Sequence, residues 1–170
     1  MHRTSTGTTL IELLTALAVV GVLSALLVPS VLASAARVRV AEVRAQLTAS
    51  VFAAQREATL RGTVVMLCPG HSRCAGHAAW HDGWELVVDD DGNRSAGADD
   101  PVIGRQPALP RGIGLVTTAG RARLLFHPNA GNAGSNATFT LCERSDRVPA
   151  QSLVLANDGR LRARPALPGA

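Results

Sequence analysis

The chain lacks tyrosine and lysine, and its 170 residues include only three phenylalanines. With so few aromatic side chains, its core has to be built from leucine, valine, alanine and the two tryptophans. The sequence also has no nucleophile elbow, no triad-like arrangement and no phosphate-binding glycine loop, so we predict no catalytic residues and no cofactor. All the basic residues are arginines, and the net charge is only +4, so the distribution of charge matters more than its sum.

The N-terminal segment is the most informative part of the chain. After a short leader, residues 1–7, the segment 8–28 carries a single charge, that of Glu12, and Pro29 follows it. The run has the length of a membrane span, about 20 residues, whereas the apolar region of a secretory signal peptide has about 7–15. A plain membrane anchor would not explain Glu12, because a carboxylate at that depth costs roughly 2.5–3.5 kcal/mol.

Gly7, Glu12, the apolar run and Pro29 together resemble the start of a type IV prepilin. In that family a short leader ends in Gly, and Glu stands at the fifth position after the cut. Thr8 occupies the place where the family usually has Phe. The resemblance implies that a prepilin peptidase cleaves between Gly7 and Thr8 and that Thr8 is N-methylated. It also implies that Glu12 serves assembly, by pairing with the new amino terminus of a neighbouring subunit.

Residues 8–62 are predicted to form one long helix. The half 8–28 would lie in the membrane or in the core of a fibre, and Pro29 would kink the helix. In the half 29–62, apolar residues recur at a spacing of three and four, at Val40, Val43, Leu47, Val51, Ala54 and Ala58. Gly62 is typical of a helix C-cap. An apolar stripe of this kind needs a sheet to cover it.

The remaining hundred or so residues are enough for one modest domain. Short apolar and β-branched runs, separated by Gly, Pro, Asn and Asp, predict strands at 63–68, 84–89, 102–105, 113–117, 122–126, 138–141 and 152–156. Asp158-Gly159 then predicts a hairpin turn that returns into a last strand at 160–162. We therefore assign 63–164 to a β-domain and 165–170 to a loose tail.

Motifs in this domain extend the resemblance over nearly the whole chain, to the GspH/FimT type of minor pilin. They are Met66-Leu67-Cys68-Pro69, Gly83-Trp84, Leu109-Pro110-Arg111-Gly112, Phe139-Thr140-Leu141-Cys142 and Asp158-Gly159-Arg160-Leu161-Arg162. The resemblance implies an α+β lollipop fold, in which a long N-terminal transmembrane and amphipathic helix packs on a small antiparallel β-domain. It implies a single-pass protein of the bacterial inner membrane with a periplasmic β-domain, later assembled with other pilins or pseudopilins.

Arg160, Arg162 and Arg164 alternate along the predicted last strand, so a period of two places them on one face. Each guanidinium can bind a phosphate through two donors, which suits a nucleic-acid backbone. The ordinary alternative is an edge strand charged for solubility. Gly159-Arg160-Leu161-Arg162 also resembles the Gly-Arg-x-Arg motif of FimT-type pilins, which bind DNA during natural transformation. The alternative within the family is a GspH-type pseudopilin of a type II secretion system, which binds no DNA.

The three cysteines, in an oxidising compartment, predict one disulfide and one remaining thiol. The residues leave the pairing open between a local Cys68–Cys74 bridge, which we favour, and a bridge from either cysteine to Cys142. Cys68, His71, Cys74 and His77 follow one another at a spacing typical of zinc ligands. The compartment favours the disulfide, so we predict a bridged loop without metal.

The acidic run at 89–93 suggests calcium at first sight. It lacks the alternating ligands and the final Glu of an EF-hand loop, and Asp and Asn also favour tight turns. We therefore predict a turn without a bound ion.

Overall fold

One long helix followed by eight short strands makes up the part of the chain that the computed structural model describes, which is residues 9–71, 74, 77–118, 121–129 and 136–166. The elements are α1 Leu10–Arg61, β1 Val65–Pro69, β2 Trp84–Val88, β3 Val102–Gln106, β4 Ile113–Thr117, β5 Leu124–Phe126, β6 Ala137–Glu143, β7 Gln151–Leu155 and β8 Leu161–Pro165. Each strand lies at one of the runs predicted from the sequence, with ends that differ by a few residues. β8 extends through Pro165, one residue into the segment predicted as a tail.

Both ends of α1 have recognisable caps. The hydroxyl of Thr9 accepts a hydrogen bond from the backbone amide of Glu12, which is the N-cap arrangement. The helix ends at Gly62, whose φ of 69° lies in the left-handed region that glycine adopts without strain. The Gly62 amide donates to the carbonyl of Ala58 at 3.0 Å, and Pro29 lies inside the helix.

The two halves of α1 have different surroundings. In the N-terminal half the large apolar side chains are exposed, and Leu10, for example, is 77% exposed. In the C-terminal half a stripe of small and branched residues is buried against the strands: Ala36, Val40, Val43, Leu47, Val51, Ala54 and Ala58. The helix is long and apolar enough to cross a membrane, and the window with that property has none of its residues buried.

The strands form two four-stranded antiparallel sheets. The first, which we call the covered sheet, has the order β3-β2-β1-β5, and the second, the open sheet, has the order β4-β6-β7-β8. The segment before β2 joins them, because the Trp80 amide donates to Leu115 O at 2.8 Å and the Thr117 amide donates to Ala78 O at 3.1 Å. One edge of the open sheet is therefore paired at β4, and its other edge is β8.

The core lies where the buried stripe of α1 meets the inner faces of both sheets. Its largest side chains are Trp80, Trp84, Phe126 and Phe139, all with no exposed surface. Each indole has a hydrogen-bond acceptor: Trp84 Nε1 donates to Ser50 Oγ of α1 at 2.9 Å, and Trp80 Nε1 donates to Thr117 Oγ1 at 3.2 Å. The two tryptophans thus give the core its large aromatic rings, and each has a satisfied polar group.

The far faces of the two sheets differ. On the covered sheet, every residue of β1 and β2 is buried, because Met66, Cys68 and Val87 pack under loops that contribute Cys74 and Ala96. On the open sheet, burial alternates along β4 and β6, and the buried residues of these two strands face α1. Among the described residues, the outer-face positions of β4 and β6 are partly or fully exposed, which makes this face available for contacts outside that part of the chain.

Candidate nucleic-acid interface

The β7–β8 hairpin presents the arginines that the sequence singled out. Its turn contains Gly159, which has a φ of 78° and donates its amide to Ala156 O at 2.9 Å. The carboxylate of Asp158 accepts a hydrogen bond from the Arg160 amide at 3.0 Å. Asp-Gly therefore forms the turn that the sequence predicted.

Gly159 is also anchored to α1. The Gln55 side chain donates from Nε2 to Gly159 O at 3.1 Å. A Cβ at position 159 would overlap the Gln55 amide, so a larger residue does not fit there. The glycine of the Gly-Arg-x-Arg sequence therefore serves two purposes, a left-handed turn and a close approach to the helix. Sequence reasoning did not identify Gln55.

Arg162 and Arg164 lie on the same face of β8 and are exposed. Arg162 pairs in register with Val154, and Arg164 pairs with Ser152. No carboxylate in the described part of the chain lies within ion-pair distance of either guanidinium. Because β8 is an edge strand, both side chains are accessible from the face and from the edge of the sheet.

Arg160 has different surroundings from the other two arginines of the predicted row. It precedes β8, and its Nε lies 3.6 Å from Asp158 Oδ2. Both side chains are largely exposed, so the pair contributes little to stability. Asp158 nevertheless competes with any anionic ligand for the Arg160 guanidinium. The three arginines are therefore not equivalent.

The outer face of the open sheet continues from these arginines, and no acidic residue is among those that the described strands place on it. The register and the strand alternation place on it Gly114, Val116, Thr138, Thr140, Cys142, Ser152, Val154, Arg162 and Arg164. A hollow of about 320 Å³ lies on this face beside Val154, and Arg121 and Asn136 form part of its lining. The Arg121 guanidinium donates to Asn136 Oδ1 at 3.1 Å. Sequence reasoning did not identify Arg121, because no regular spacing relates it to the hairpin arginines.

The three predicted disulfide candidates lie in two separate places, Cys68 and Cys74 at the covered sheet and Cys142 on the open sheet. Cys68 and Cys74 are bonded to each other, with their Cα atoms 4.9 Å apart, and the bridge lies in the loop over the covered sheet. Cys142 is an exposed thiol on the open sheet, 3.7 Å from Gly114 O. Because the two bonded sulfurs offer no thiolate, the spacing of Cys68, His71, Cys74 and His77 does not provide a zinc site in this state.

The acidic segment forms a compact cluster that includes a residue which sequence reasoning did not select. Carboxylate oxygens of Asp89, Asp91 and Asp100 lie within 4.8 Å of one another. Backbone amides of the same loop donate to them, including Arg94 N to Asp89 and Gly97 N to Asp100. Burial raises the pKa of Asp89 above its ordinary value, and the neighbouring carboxylates add to the effect. These amide contacts are those of a tight turn, and the absence of a metal stays a prediction.

Glu12 lies in the first turn of α1, among exposed apolar side chains. Gly7 and Thr8 lie outside the described residues, so cleavage between them and methylation of Thr8 stay predictions. The position of Glu12 near the start of the helix is the part of the predicted assembly segment that can be located in the structure.

Comparisons with known proteins bear on the whole fold. The chain matches the family described as Type II transport protein GspH over residues 44–159, which is more than half of its length. Its structure is similar to the type IV minor pilin FimU of Pseudomonas aeruginosa (strain PAO1) in one crystal form, with a TM-score of 0.59 and 15% identity over 76% of this chain and 90% of that one. A second crystal form of FimU gives a TM-score of 0.53 and 16% identity, over 71% and 88%. No curated protein sequence shows significant similarity to the chain.

The architecture and the family agree. The long apolar N-terminal helix packed on a small antiparallel β-domain is the type IV pilin fold, as the structural match shows. Proteins of this family and fold are structural pilins and not enzymes. The apolar N-terminal helix and the family together fit membrane anchoring followed by assembly with other pilins. This chain belongs to the GspH family of pilin-like proteins.

Proposed function

We propose that the protein is a minor pilin of a type IV pilus that binds DNA without sequence preference and so serves DNA uptake. The observation that supports this most is the pair Arg162 and Arg164, exposed on one face of an edge strand with no carboxylate partner in the described part of the chain. Two free guanidinium groups on a regular spacing suit a phosphate backbone. A strand edge offers no helix for the major groove, so phosphate contacts dominate and sequence is not read.

The test uses the full chain in a non-ionic detergent and a fluorescently labelled duplex, with affinity measured over a range of salt concentrations. Each phosphate contact contributes about −0.9 to the slope of log affinity against log salt. Replacing Arg162 and Arg164 together with Gln should therefore flatten the slope by about 1.8 and weaken binding equally for unrelated sequences. Arg160→Gln alone should flatten the salt slope by less than about 0.9, the change expected for one unpaired arginine, because Asp158 already neutralises part of its charge.

A matched control removes the same charge elsewhere. Arg37 lies on α1 and Arg111 lies in the turn before β4, and both are exposed and form no ion pair among the described residues. Replacing these two with Gln should leave the slope nearly unchanged. If the Arg162/Arg164 double variant binds as well as the unaltered protein, DNA binding through these arginines is refuted. The structural alternative, a GspH-type pseudopilin of a type II secretion system, then becomes the better interpretation, and the family's description favours it.

We infer that assembly follows prepilin processing by a peptidase in the inner membrane, with the β-domain in the periplasm. Cleavage between Gly7 and Thr8 would place the new amino terminus next to Thr9, the residue that caps α1. Glu12 would then be neutralised by the N-terminus of a neighbouring subunit inside an apolar fibre core, where a lone carboxylate is costly. N-methylation of Thr8 belongs to the same proposal.

Intact-mass measurement of the membrane-extracted protein tests the processing step. We expect a chain that starts at Thr8, and we expect Gly7→Val to keep the leader. A start at Met1, or beyond Val28, would contradict the prepilin assignment. Glu12→Ala should lower incorporation into pili without changing the unfolding of the β-domain, and normal incorporation would refute the assembly role.

A further inference from the structure

We propose that the nucleic acid is a duplex that lies across the outer face of the open sheet, with Arg121 as a second anchor opposite the β8 arginines. This proposal rests on the proposed DNA binding and specifies its site and its ligand. Arg121, Arg162 and Arg164 would contact phosphates on either side of a neutral surface. The hairpin arginines alone would contact DNA only along the edge of the sheet.

The register connects the two anchors across three strands. Arg162 of β8 pairs with Val154 of β7, and Val154 pairs with Thr138 of β6. Neighbouring strands lie about 4.7–4.9 Å apart, so Arg162 and Thr138 are separated by about 10 Å. Arg121 lines the same hollow as Val154 and Thr138. It lies toward β4, because its amide donates to Thr118 O and the Thr118 amide donates to Thr138 O. A ligand that contacts both Arg121 and Arg162 must therefore cross the strands.

Arg121 is held in place by contacts with the surrounding backbone and side chains. Its amide donates to Thr118 O at 3.2 Å, and its carbonyl accepts from Thr117 Oγ1 at 3.0 Å. Its guanidinium donates to the neutral oxygen of Asn136. No carboxylate of the described residues forms an ion pair with it, so its charge is not neutralised within that part of the protein. Arg121 is thus oriented and still free to bind an anion.

The chemistry of the face favours a duplex over a single strand. Proteins that bind single strands without sequence preference combine a basic groove with aromatic side chains on which the bases stack. The residues that the described strands place on this face are Gly, Val, Thr, Cys, Ser and Arg, and none is aromatic. Phosphate contacts are then the main source of affinity, and a duplex offers more phosphate charge per unit length and a rigid spacing. Hydroxyls of Thr138 and Thr140 can also donate to phosphate oxygens.

The experiment measures binding of the full chain, in non-ionic detergent, to a labelled duplex of about 20 base pairs and to one of its strands. We expect the duplex to bind about tenfold more tightly at moderate salt. Arg121→Gln should flatten the salt slope for the duplex by about 0.9 and weaken binding several-fold. Arg111→Gln, which removes one arginine at the opposite end of β4, should have no such effect.

A second pair of variants tests the face without touching any arginine. Thr140 lies in the middle of β6 and pairs with Ser152, which in turn pairs with Arg164. Thr140→Glu places a negative charge under the proposed ligand and should weaken duplex binding at least tenfold. Thr140→Gln, its neutral counterpart, should weaken binding at most about twofold. Circular dichroism of each variant establishes that the β-domain is still folded.

The outcomes separate this inference from the proposed function. If Arg121→Gln and Thr140→Glu bind DNA as the unaltered protein does, while the Arg162/Arg164 double variant is impaired, only the edge binds and this inference is overturned. Equal or tighter binding of the single strand overturns the choice of a duplex. If the Arg162/Arg164 variant itself is unimpaired, the proposed DNA-binding function fails first.

Discussion

The covered sheet and the open sheet have the same number of strands and the same antiparallel pairing, yet their far faces have opposite environments. On the covered sheet the residues facing away from α1 include Met66, Val87 and Leu125, and loops pack over them. On the open sheet the equivalent positions include Thr138 and Thr140, with no loop above them among the described residues. In the first sheet, both faces of the central strands β1 and β2 are thus buried and contribute to stability. In the second sheet, the described residues cover the side toward α1, and the other side is the one to which we assign binding.

The largest expected difference in stability is between two valines, each on the face of its sheet that points away from α1. Val87 on the far face of β2 has no exposed surface, whereas Val116 on the far face of β4 is 40% exposed. Val87→Ala should lower the free energy of unfolding by about 2–3 kcal/mol, because buried carbons are lost and a cavity remains. Val116→Ala should lower it by less than about 1 kcal/mol. Urea unfolding of the full chain in detergent, followed by circular dichroism, measures both. Similar losses would show that the outer face of the open sheet is covered as well.

The cysteines should give the next largest difference. The Cys68–Cys74 bridge closes a short loop over the covered sheet, and the loop-closure estimate for that length is about 2 kcal/mol. Replacing both cysteines with Ala should lower the free energy of unfolding by that amount, while Cys142→Ala should leave it unchanged. Intact mass before and after reduction should report one bridge. Three free thiols in the protein isolated from the periplasmic side, or bound zinc under reducing and oxidising conditions alike, would contradict the predicted loop.

A smaller effect concerns two carboxylates whose pKa values shift in opposite directions. Burial raises the pKa of Asp89, at the end of β2, above its ordinary 3.8. The charged form is therefore disfavoured by folding, and the resulting loss of stability is present at neutral pH and relieved as pH falls through the raised pKa. A hydrogen bond from the Ser145 side chain holds the pKa of Glu143, at the end of β6, below its ordinary 4.5. Charged Glu143 therefore stabilises the fold at neutral pH. This contribution is lost as pH falls through the lowered pKa of Glu143.

Two amide variants measured at several pH values test these signs. Asp89→Asn, which keeps an acceptor for the Arg94 amide, should raise the free energy of unfolding at pH 7, with a gain that disappears on acidification. Glu143→Gln should lower stability at pH 7 and make little difference at pH 3. A chelator in all samples prevents a cation at the acidic cluster from contributing. If Asp89→Asn is destabilising at pH 7, the charged form is favoured by its surroundings and the sign is wrong.

The smallest expected effect on stability is at the hairpin turn. Asp158→Asn keeps the acceptor for the Arg160 amide and removes the charge that lies opposite the guanidinium. We expect unchanged stability, DNA binding that is tighter by a few-fold, and a salt slope steeper by up to about 0.9. Asp146→Asn removes an equal charge in the β6–β7 connection and serves as the control. If both variants strengthen binding equally, net charge alone is responsible and Asp158 does not specifically restrain Arg160.

Local features of the fold could be predicted from the sequence. The buried stripe of α1 follows from the spacing of Val40, Val43 and Leu47, and the Gly62 cap follows from glycine's access to positive φ. The β7–β8 hairpin follows from Asp158-Gly159. In each case the determining interaction lies within a few residues along the chain, so the local pattern contains it.

The division into two sheets could not be predicted in the same way. Val65 of β1 pairs with Phe126 of β5, and an apolar run does not specify its partner across such a separation. For the same reason the sequence did not place Arg121 at the same hollow as Val154, the partner of Arg162, or Asp100 beside Asp89. The Arg160–Asp158 pair is local, but it depends on rotamers that a two-residue periodicity does not describe.

The two indoles in the core have an optical consequence. Trp80 and Trp84 lie with their ring centres 6.3 Å apart, hydrogen-bonded to the open sheet and to α1 respectively. Since the chain has no tyrosine, the emission of this pair is not overlapped by tyrosine emission. The emission should therefore shift to longer wavelength when the helix separates from the sheets and water reaches the rings. A ligand on the outer face leaves both rings buried, so it should not produce this shift to longer wavelength. One sample can thus report folding through its own fluorophores, while a dye on the ligand independently reports binding.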